Sequence, residues 1–434
     1  MISSVGLFSG NCCCTPVVGR SPENSYKRMN ILFLMSDQHR GDCIGASGAD
    51  WVKTPNLDKL AHEGVLFTKA YSSVPSCLPA RTGLLTGMSP WRSGQLGYNN
   101  IASYPFEGPA MFTAAGYRTH AVGKNHFTPM RNTHGYQTVE LEEGWYTTIK
   151  GSEKCDYALW FEKNAPGKDI NGSGLGYNDQ RGGILFPYAD SLHATHWTAD
   201  RAINFLKTFK GSEPWLLKVS FQRPHTPYDP PERWNNAFKD VEIPLPVIGD
   251  WAQQKYGDSK GSLQTNNAAT FGNFPESEIV NSRRSYYAAI SFMDEQLGRV
   301  LDALKERGEL ENTLILFTSD HGDMLGDHYL WRKCRPYEGS ARIPMIIRWP
   351  ESLDLRTKRG LIRNELVELR DVLPTFLDGA GIPKPSVMDG ASMLDILKGK
   401  NGGKPWTWNI HRSTKRKMPG LHLRMANTNT SISL

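Results

Sequence analysis

Short runs of consecutive apolar residues alternate along this chain with stretches in which apolar residues recur every three or four positions. The runs lie at residues 31–35, 119–122, 215–221, 313–318 and 344–349. Runs of this length favour strands buried on both faces, and the stretches between them favour amphipathic helices. The alternation predicts an α/β fold in which parallel strands are joined by helices.

Helices are predicted where apolar residues recur at helical spacing and where residues that begin or end helices flank them. One begins after Thr54, with Pro55 at its first position, and ends at Gly64. The others cover residues 109–115, 195–209, 276–307 and 365–380. The stretch 230–275 is rich in Pro, Gly, Asn and Gln, and we expect it to be a long excursion over the surface.

The composition is that of an ordinary globular protein. The chain has 434 residues, of which 39% are hydrophobic and 22% are charged, enough to bury a large core. The formal net charge of +6 is compatible with an anionic substrate and equally with dispersed surface charge. No apolar run approaches the length of a membrane span, and we predict neither a membrane segment nor a nucleic-acid partner.

The seven cysteines do not form a disulfide framework, because their number is odd and Cys12 to Cys14 are consecutive. Their spacing does not match a structural zinc site either. A signal peptide begins with basic residues followed by a strongly apolar stretch. Residues 1–10 are only weakly apolar and no basic residue precedes them, so no standard signal peptide is expected. We interpret residues 1–28 as a disordered extension or a mis-assigned start. The compartment is then cytoplasmic by default, and periplasmic or secreted if the start is mis-assigned.

Four polar clusters follow predicted strands at the point where each strand ends. They are Ser36-Asp37-Gln38-His39, Gly123-Lys124-Asn125-His126, Arg223-Pro224-His225 and Ser319-Asp320-His321-Gly322-Asp323. In parallel α/β sheets, ligands bind beyond the carboxyl ends of the strands. A single histidine such as His225 more often completes the hydrogen bonds of a loop, but four clusters in this position predict one shared site.

A fifth segment carries the sharpest signal. The run Ser76-Cys77-Leu78-Pro79-Ala80-Arg81-Thr82-Gly83 resembles the C-x-P-x-R signature of type I sulfatases, in which the cysteine is converted to formylglycine. Many members of that family have Ser where this chain has Ala80, and Ala is a tolerated variant. The resemblance identifies Cys77 as the precursor of a catalytic aldehyde.

The polar clusters resemble further motifs of this family, which belongs to the alkaline-phosphatase superfamily. The matching segments are the metal-binding pairs Asp37-Gln38 and Asp320-His321, the G-K-x-H motif at Gly123 to His126, the P-H-x-P-Y motif at Pro224 to Tyr228, and the segment that supplies a second lysine, Lys333 with Pro336 to Pro344. Order and spacing agree from about residue 30 to about residue 395.

The resemblance implies an α/β/α sandwich around a large mixed, mostly parallel central sheet, formed by a catalytic domain over residues 29–400. Members of the family normally end in a small domain with a four-stranded antiparallel sheet. Residues 401–434 are few, basic and then rich in Ser, Thr and Asn. Because they do not alternate as strands, we expect this C-terminal segment to be atypical or truncated.

The chemistry of a sulfate ester explains why an aldehyde is needed at position 77. A serine nucleophile would be left as a stable sulfate ester. One hydroxyl of a hydrated aldehyde can attack sulfur, and loss of the proton from the other lets the hemiacetal collapse and expel sulfate. A formylglycine-generating maturation enzyme is therefore an expected partner.

The resemblance also supplies a set of metal ligands. They are Asp37, Gln38, Cys77, Asp320 and His321. Oxygen ligands favour Ca²⁺, whereas a histidine leaves room for Mn²⁺ or Zn²⁺.

The remaining family motifs imply roles around the sulfate group. Arg81 orients the nucleophile, and Lys124 and Lys333 hold sulfate oxygens. His126 assists the nucleophile or its regeneration, and His225 protonates the leaving group and contacts the substrate. Outside these motifs, Asp323 and His328 are further candidates for substrate contacts. The aromatic residues Trp145, Trp160 and Tyr177 could either stack on a sugar or anchor a loop.

Two positions leave the substrate open. Gln38 replaces the Asp common in many sulfatases, and His321 replaces a frequent Asn; both forms also occur in choline sulfatases and phosphonate monoester hydrolases. The first hypothesis is therefore a sulfatase that acts on a sulfated sugar or a small aryl or alkyl sulfate. The second is a phosphonate monoester or phosphodiester hydrolase, and the third is a homologue that is inactive because Cys77 is not matured. We expect the loops at 140–190 and 230–275 to decide the substrate.

Overall fold

The computed structural model describes residues 28–99, 101–144 and 153–399. The expected N-terminal extension, apart from residue 28, and the expected C-terminal segment 401–434 lie outside the described residues. Ten strands are found in the described part: β1 (Asn30–Asp37), β2 (Val65–Phe67), β3 (Ala70–Tyr71), β4 (Arg118–Gly123), β5 (Thr138–Leu141), β6 (Trp215–Pro224), β7 (Thr313–Ser319), β8 (Met345–Arg348), β9 (Leu361–Arg363) and β10 (Val367–Glu368).

Eight of these strands form one sheet in the order β5-β4-β6-β1-β7-β8-β2-β9. All neighbouring pairs are parallel except the two that include β8, which runs antiparallel to β7 and to β2. Strands β3 and β10 pair separately. This is the mixed, mostly parallel sheet that the family resemblance implies.

The helices of the described ranges are α1 (Pro55–His62), α2 (Cys77–Thr86), α3 (Pro90–Ser93), α4 (Gly108–Ala114), α5 (Asp156–Asn164), α6 (Ala194–Thr208), α7 (Glu232–Asn236), α8 (Asp250–Tyr256), α9 (Glu276–Glu306), α10 (Glu338–Ala341), α11 (Val372–Ala380) and α12 (Met393–Leu397). Within these ranges, none of the helices combines the length and the apolarity that crossing a membrane requires.

Strand β1 lies in the middle of the large sheet, and all eight of its residues are buried. The side chains of a strand alternate between the two faces, so Phe33 belongs to one core cluster and Leu32 to the other. On the first face α2, α4 and α11 contribute Leu84, Phe112 and Phe376. The opposite face is covered by α1, α6 and α9. The α/β/α sandwich is thereby confirmed.

The helix predicted over residues 365–380 is shorter in the structure. Helix α11 begins at Val372, because Val367–Glu368 pairs with β3 as strand β10. Asp371 then accepts the backbone N–H of Glu368 at 2.8 Å, and this capping box ends the extended segment. Pairing with a distant strand decides the conformation here, and local apolar spacing does not report such pairing.

The other predicted helices are present, with 276–307 as α9 and 195–209 as α6. The expected excursion at 230–275 contains two short helices, α7 and α8. Strands β2 and β5 were not predicted, since three or four residues are too few to show a period.

The strands that precede the polar clusters lie side by side. Strands β4, β6, β1 and β7 are consecutive in the sheet and mutually parallel, so their carboxyl ends share one edge. Each of the four clusters begins at one of these ends. The fold therefore brings the clusters to one place, as their position after the strands predicts.

Asp294 on α9 holds the beginning of α1, and its removal should destabilise the fold. Its buried carboxylate accepts the backbone N–H of Asn56 at 3.0 Å and that of Leu57 at 2.8 Å. The variant Asp294→Ala leaves both donors without this partner, so we expect the free energy of unfolding to fall by about 3 kcal/mol in a urea titration. The control Asp302→Ala, at an exposed position of the same helix, should change it by less than about 0.5 kcal/mol. Equal stability of the two variants would contradict this role of Asp294.

Candidate active site

The strand ends meet around Asp37, the last residue of β1. Lys124 follows β4, and its Nζ lies 2.6 Å from Asp37 Oδ2. Asp320 follows β7, and its Oδ1 accepts the backbone N–H of Gln38 at 3.1 Å. These contacts join three of the four strand ends, those of β4, β1 and β7, through charged and polar groups, and a buried site of this kind can bind an ion.

Cys77 and Arg81 reach the same place from the start of α2. Cys77 is the first residue of this helix, and Pro79 occupies a first-turn position whose N–H would have no partner within the helix. Arg81 follows four residues after Cys77, so the two side chains share one face of the helix. The C-x-P-x-R pattern is thus the sequence of a helix start that presents a reactive position and a cation together.

Two glycines of the motifs let the backbone pass close to neighbouring segments. Gly123 has φ of 89°, and a Cβ there would lie 2.1 Å from the carbonyl oxygen of Ser220 on β6. A Cβ at Gly322 would lie 2.1 Å from the carbonyl oxygen of Gly339 on α10. A larger residue at either position would push the backbone away and displace the adjoining site residues, Lys124 among them.

Arg81 and Lys124 neutralise the two buried carboxylates. Arg81 donates from Nε to Asp320 Oδ2 at 2.8 Å and from Nη2 to Asp37 Oδ2 at 3.1 Å. Burial alone raises the pKa of Asp37, but the surrounding cations, Lys124 first among them, hold that pKa well below its ordinary value. Burial and the nearby Asp37 carboxylate raise the pKa of Asp320. The buried carboxylates of Asp37 and Asp320 therefore depend on positive charge from other groups.

The other oxygens of these carboxylates face a candidate cation site. One ligand atom from each of Asp37, Cys77, Asp320 and His321 lies within 4.8 Å of the others. The Nδ1 of His321 donates to the carbonyl oxygen of Gly322 at 2.8 Å, which assigns the lone pair of the neutral ring to Nε2, on the side of the group. Two carboxylate oxygens and an imidazole nitrogen fit a divalent cation.

Gln38 completes this group from the end of β1. Its φ of 68° turns the chain sharply, which places its backbone N–H on Asp320. Its side-chain Oε1 lies 3.3 Å from Lys333 Nζ, and the same Nζ lies 3.0 Å from Cys77 Sγ. The five ligands that the resemblance implies are therefore neighbours in space.

Cys77 lies in surroundings that favour a negative charge. It is 1% exposed, and its Sγ lies 3.2 Å from His321 Nε2. Burial and Asp37 raise the pKa of the thiol, but Lys333 and Lys124 outweigh them and hold it well below its ordinary value. The site is arranged to stabilise an anion at the side chain of residue 77.

His225 and Tyr177 line another side of the site. The Nδ1 of His225 donates to the carbonyl oxygen of Thr226 at 2.8 Å, so Nε2 can accept from Lys333 Nζ at 3.0 Å. Burial and the ammonium groups of Lys333 and Lys124 hold the pKa of His225 well below its ordinary value. The ring of Tyr177 stacks on His225 at 4.7 Å, and its Oη accepts from Lys124 Nζ at 2.8 Å. Tyr177 is thus part of the site, although no motif marks it.

His126 lies at the margin of this group. Its backbone N–H and that of Asn125 both donate to Glu143 Oε1 at 2.7 Å, which fixes the turn after β4. Among the described residues its Nδ1 has no hydrogen-bond partner, and its ring lies 5.8 Å from the ring of Tyr98. Tyr98 in turn accepts a hydrogen bond from Ser76, the neighbour of Cys77. A role for His126 beside the nucleophile stays a prediction.

The two candidates outside the motifs face protein groups. Asp323 is fully buried, and its carboxylate accepts from Gln38 Nε2 at 2.5 Å. His328 accepts the backbone N–H of Gly249 at 3.1 Å, and its ring lies 5.0 Å from that of Tyr337. Asp323 thus contacts a residue of the cation site, and a substrate contact of either side chain stays a prediction.

Known proteins are similar in sequence to the part of the chain that contains this site. The family model described as Sulfatase matches residues 29–382. An arylsulfatase of Clostridium perfringens is 39% identical over 396 residues, which cover 88% of this chain and 80% of that protein. A choline-sulfatase of Rhizobium meliloti is 32% identical over 401 residues, which cover 87% of this chain and 73% of that protein.

The fold is shared as well. The crystal structure of a phosphonate monoester hydrolase of Agrobacterium radiobacter superposes with a TM-score of 0.70 at 27% sequence identity, over 88% of this chain and 79% of that one. The family match covers most of the chain and includes every predicted site residue. This chain therefore belongs to the sulfatase family of the alkaline-phosphatase superfamily and is a sulfuric ester hydrolase.

Proposed function

We propose that the protein hydrolyses sulfate monoesters and that formylglycine, formed from Cys77, is the source of its nucleophile. The observation that carries this proposal is the position of Cys77. It begins α2 and lies 3.0 Å from Lys333 Nζ and 3.2 Å from His321 Nε2, in the group that fits a divalent cation. A formylglycine-generating maturation enzyme is the partner that this proposal requires.

The hydrated aldehyde supplies two hydroxyls on one carbon, one to attack sulfur and one through which sulfate is released. Arg81 prepares the surroundings of this group. Its Nε and Nη2 hold Asp320 and Asp37, and its Nη1 donates to the carbonyl oxygen of Lys124 at 2.6 Å and to Ser220 Oγ at 3.1 Å. With every nitrogen bonded, Arg81 fixes the carboxylates and the end of β4.

The side chains of Asp37, Gln38, Asp320 and His321, with residue 77, would hold a divalent cation, which supplies positive charge for the nucleophile and for the sulfuryl oxygens. We propose Ca²⁺, because three of these four side chains offer oxygen. His321 keeps Mn²⁺ and Zn²⁺ as alternatives.

Lys124 and Lys333 are proposed to bind the sulfate oxygens. The two carboxylates offset a divalent ion, so the remaining cations favour an anion at this place. A sulfate monoester brings one negative charge. Both lysines lower the pKa of His225, and the negative charge of the bound ester would oppose that effect. It would thereby favour the protonated ring, which can give its proton to the leaving alcohol.

An aryl sulfate is the first substrate to test, because the Clostridium perfringens relative is an arylsulfatase. Sulfated sugars and small alkyl sulfates belong to the same proposal. A phosphonate monoester is the second candidate, because it carries the same single charge and the phosphonate monoester hydrolase shares the fold.

Expression with and without a formylglycine-generating enzyme tests the maturation of Cys77. In co-expressed protein, we expect mass spectrometry of the peptide that contains Cys77 to show an aldehyde or its hydrate. Hydrolysis of nitrophenyl sulfate should rise in proportion to the aldehyde fraction. Full activity in a preparation whose Cys77 is entirely an unmodified thiol would contradict the proposed nucleophile.

Substitution of Cys77 tests why an aldehyde is needed. We expect Cys77→Ala and Cys77→Ser to remain folded and to lose turnover by at least about a thousandfold. Incubation with an aryl sulfate should add one sulfuryl group to the Ser variant and none to the Ala variant, because a serine ester has no second hydroxyl to release sulfate. The exposed Cys334→Ser variant is the control and should keep its activity. Turnover by the Ser variant at the parent rate would contradict the need for an aldehyde at position 77.

Parallel kinetics separate the two candidate substrates. On nitrophenyl sulfate and on a nitrophenyl phosphonate monoester with the same leaving group, we expect the larger kcat/KM for the sulfate. Because the two esters share a leaving group, the ratio of their kcat/KM values reports the preference of the site for a sulfuryl over a phosphonyl centre. A larger kcat/KM for the phosphonate would favour the second candidate.

A further inference from the structure

Asp323 has a role that the motifs do not assign. Its fully buried carboxylate is surrounded by hydrogen-bond donors. Oδ2 accepts from Gln38 Nε2 at 2.5 Å and from Tyr228 Oη at 2.6 Å, and Oδ1 accepts the backbone N–H of Leu325 at 2.9 Å and that of Arg332 at 3.0 Å. Because it accepts from four donors, this carboxylate is held in one orientation.

The contact with Gln38 decides which end of its amide faces the cation site. A carboxylate only accepts hydrogen bonds, so the NH₂ end of the amide must face Asp323. On the opposite side Oε1 lies 3.3 Å from Lys333 Nζ, which only donates. Both neighbours therefore require the same orientation, with the carbonyl oxygen directed toward Lys333 and away from Asp323.

We propose that Asp323 is a positioning residue that presents the amide oxygen of Gln38 to the divalent cation. The inference rests on the proposed function, since that function requires the cation. It also accounts for the neutral residue at position 38, because a second carboxylate 2.5 Å from Asp323 would meet strong repulsion. Gln38 and Asp323 are thus a matched pair.

The same carboxylate acts on a second site residue. The backbone N–H that it accepts belongs to Arg332, the residue before Lys333. Lys333 Nζ contacts Gln38 Oε1, Cys77 Sγ and His225 Nε2. Asp323 therefore fixes both the amide and the segment that carries the ammonium group opposite it.

The variant Asp323→Asn should turn the Gln38 amide around. The backbone N–H groups of Leu325 and Arg332 cannot rotate, so they will keep the oxygen of the new amide. Its NH₂ then faces Tyr228, whose hydroxyl can rotate, and Gln38, whose carbonyl oxygen is drawn away from the cation site.

A double-mutant cycle on the full-length protein tests this pairing, with Ca²⁺ as the probe in calorimetric titrations after removal of bound metal. Asp323→Asn should weaken Ca²⁺ binding about tenfold or more. Gln38→Glu should weaken it when Asp323 is present, because of the like charges. The same substitution should strengthen it in the Asp323→Asn background, where the new amide can donate to the glutamate. The sign of the Gln38→Glu effect therefore depends on residue 323.

The variant Tyr228→Phe is the control. It removes the other hydrogen bond to Oδ2 without changing which end of the Gln38 amide faces Asp323, and it should alter Ca²⁺ affinity by less than about threefold. Thermal unfolding in excess chelator shows whether each variant is folded. Additive effects of the two substitutions in folded variants would overturn the pairing while leaving the proposed function intact. A parent protein that binds none of Ca²⁺, Mn²⁺ and Zn²⁺ would overturn the cation in the proposed function and the role of Asp323 with it.

Discussion

Two carboxylates without solvent exposure, Asp37 and Asp320, impose the constraint on which the rest of the site depends. Buried charges are tolerated only when they are paired, and removal of one partner of such a pair costs about 3–5 kcal/mol. Here the partners come from two other parts of the fold, Arg81 on α2 and Lys124 after β4. The charges that prepare the site for an anion therefore also hold its helix against the sheet. The site is preorganised because the fold needs these contacts.

Residue patterns close in sequence were sufficient to predict much of this arrangement. Apolar runs located five of the strands, and the polar clusters after four of them located the edge of the sheet where Asp37, Lys124 and Asp320 meet. The signature around Cys77 is equally local and marked both the cysteine and Arg81, although the helix that begins at Cys77 was not among the predicted elements.

Contacts between distant segments could not be predicted in this way. Gln38 and Asp323 are 285 residues apart, and only the fold shows that one orients the other. Tyr177 comes from a loop without a motif, yet it contacts both Lys124 and His225. The late start of α11 has the same origin, since a partner strand elsewhere in the chain keeps the preceding residues extended.

The adjacency of β4, β6, β1 and β7 gives the site a fixed width. Neighbouring strands lie about 4.8 Å apart, so the groups at the strand ends, such as Asp37, Lys124 and Asp320, are spaced by the backbone of the sheet rather than by the loops that follow it. Loops at this edge can lengthen, shorten or change sequence without moving these groups. A chain built in this way can gain new substrates through insertions alone, while the bond that it breaks stays the same.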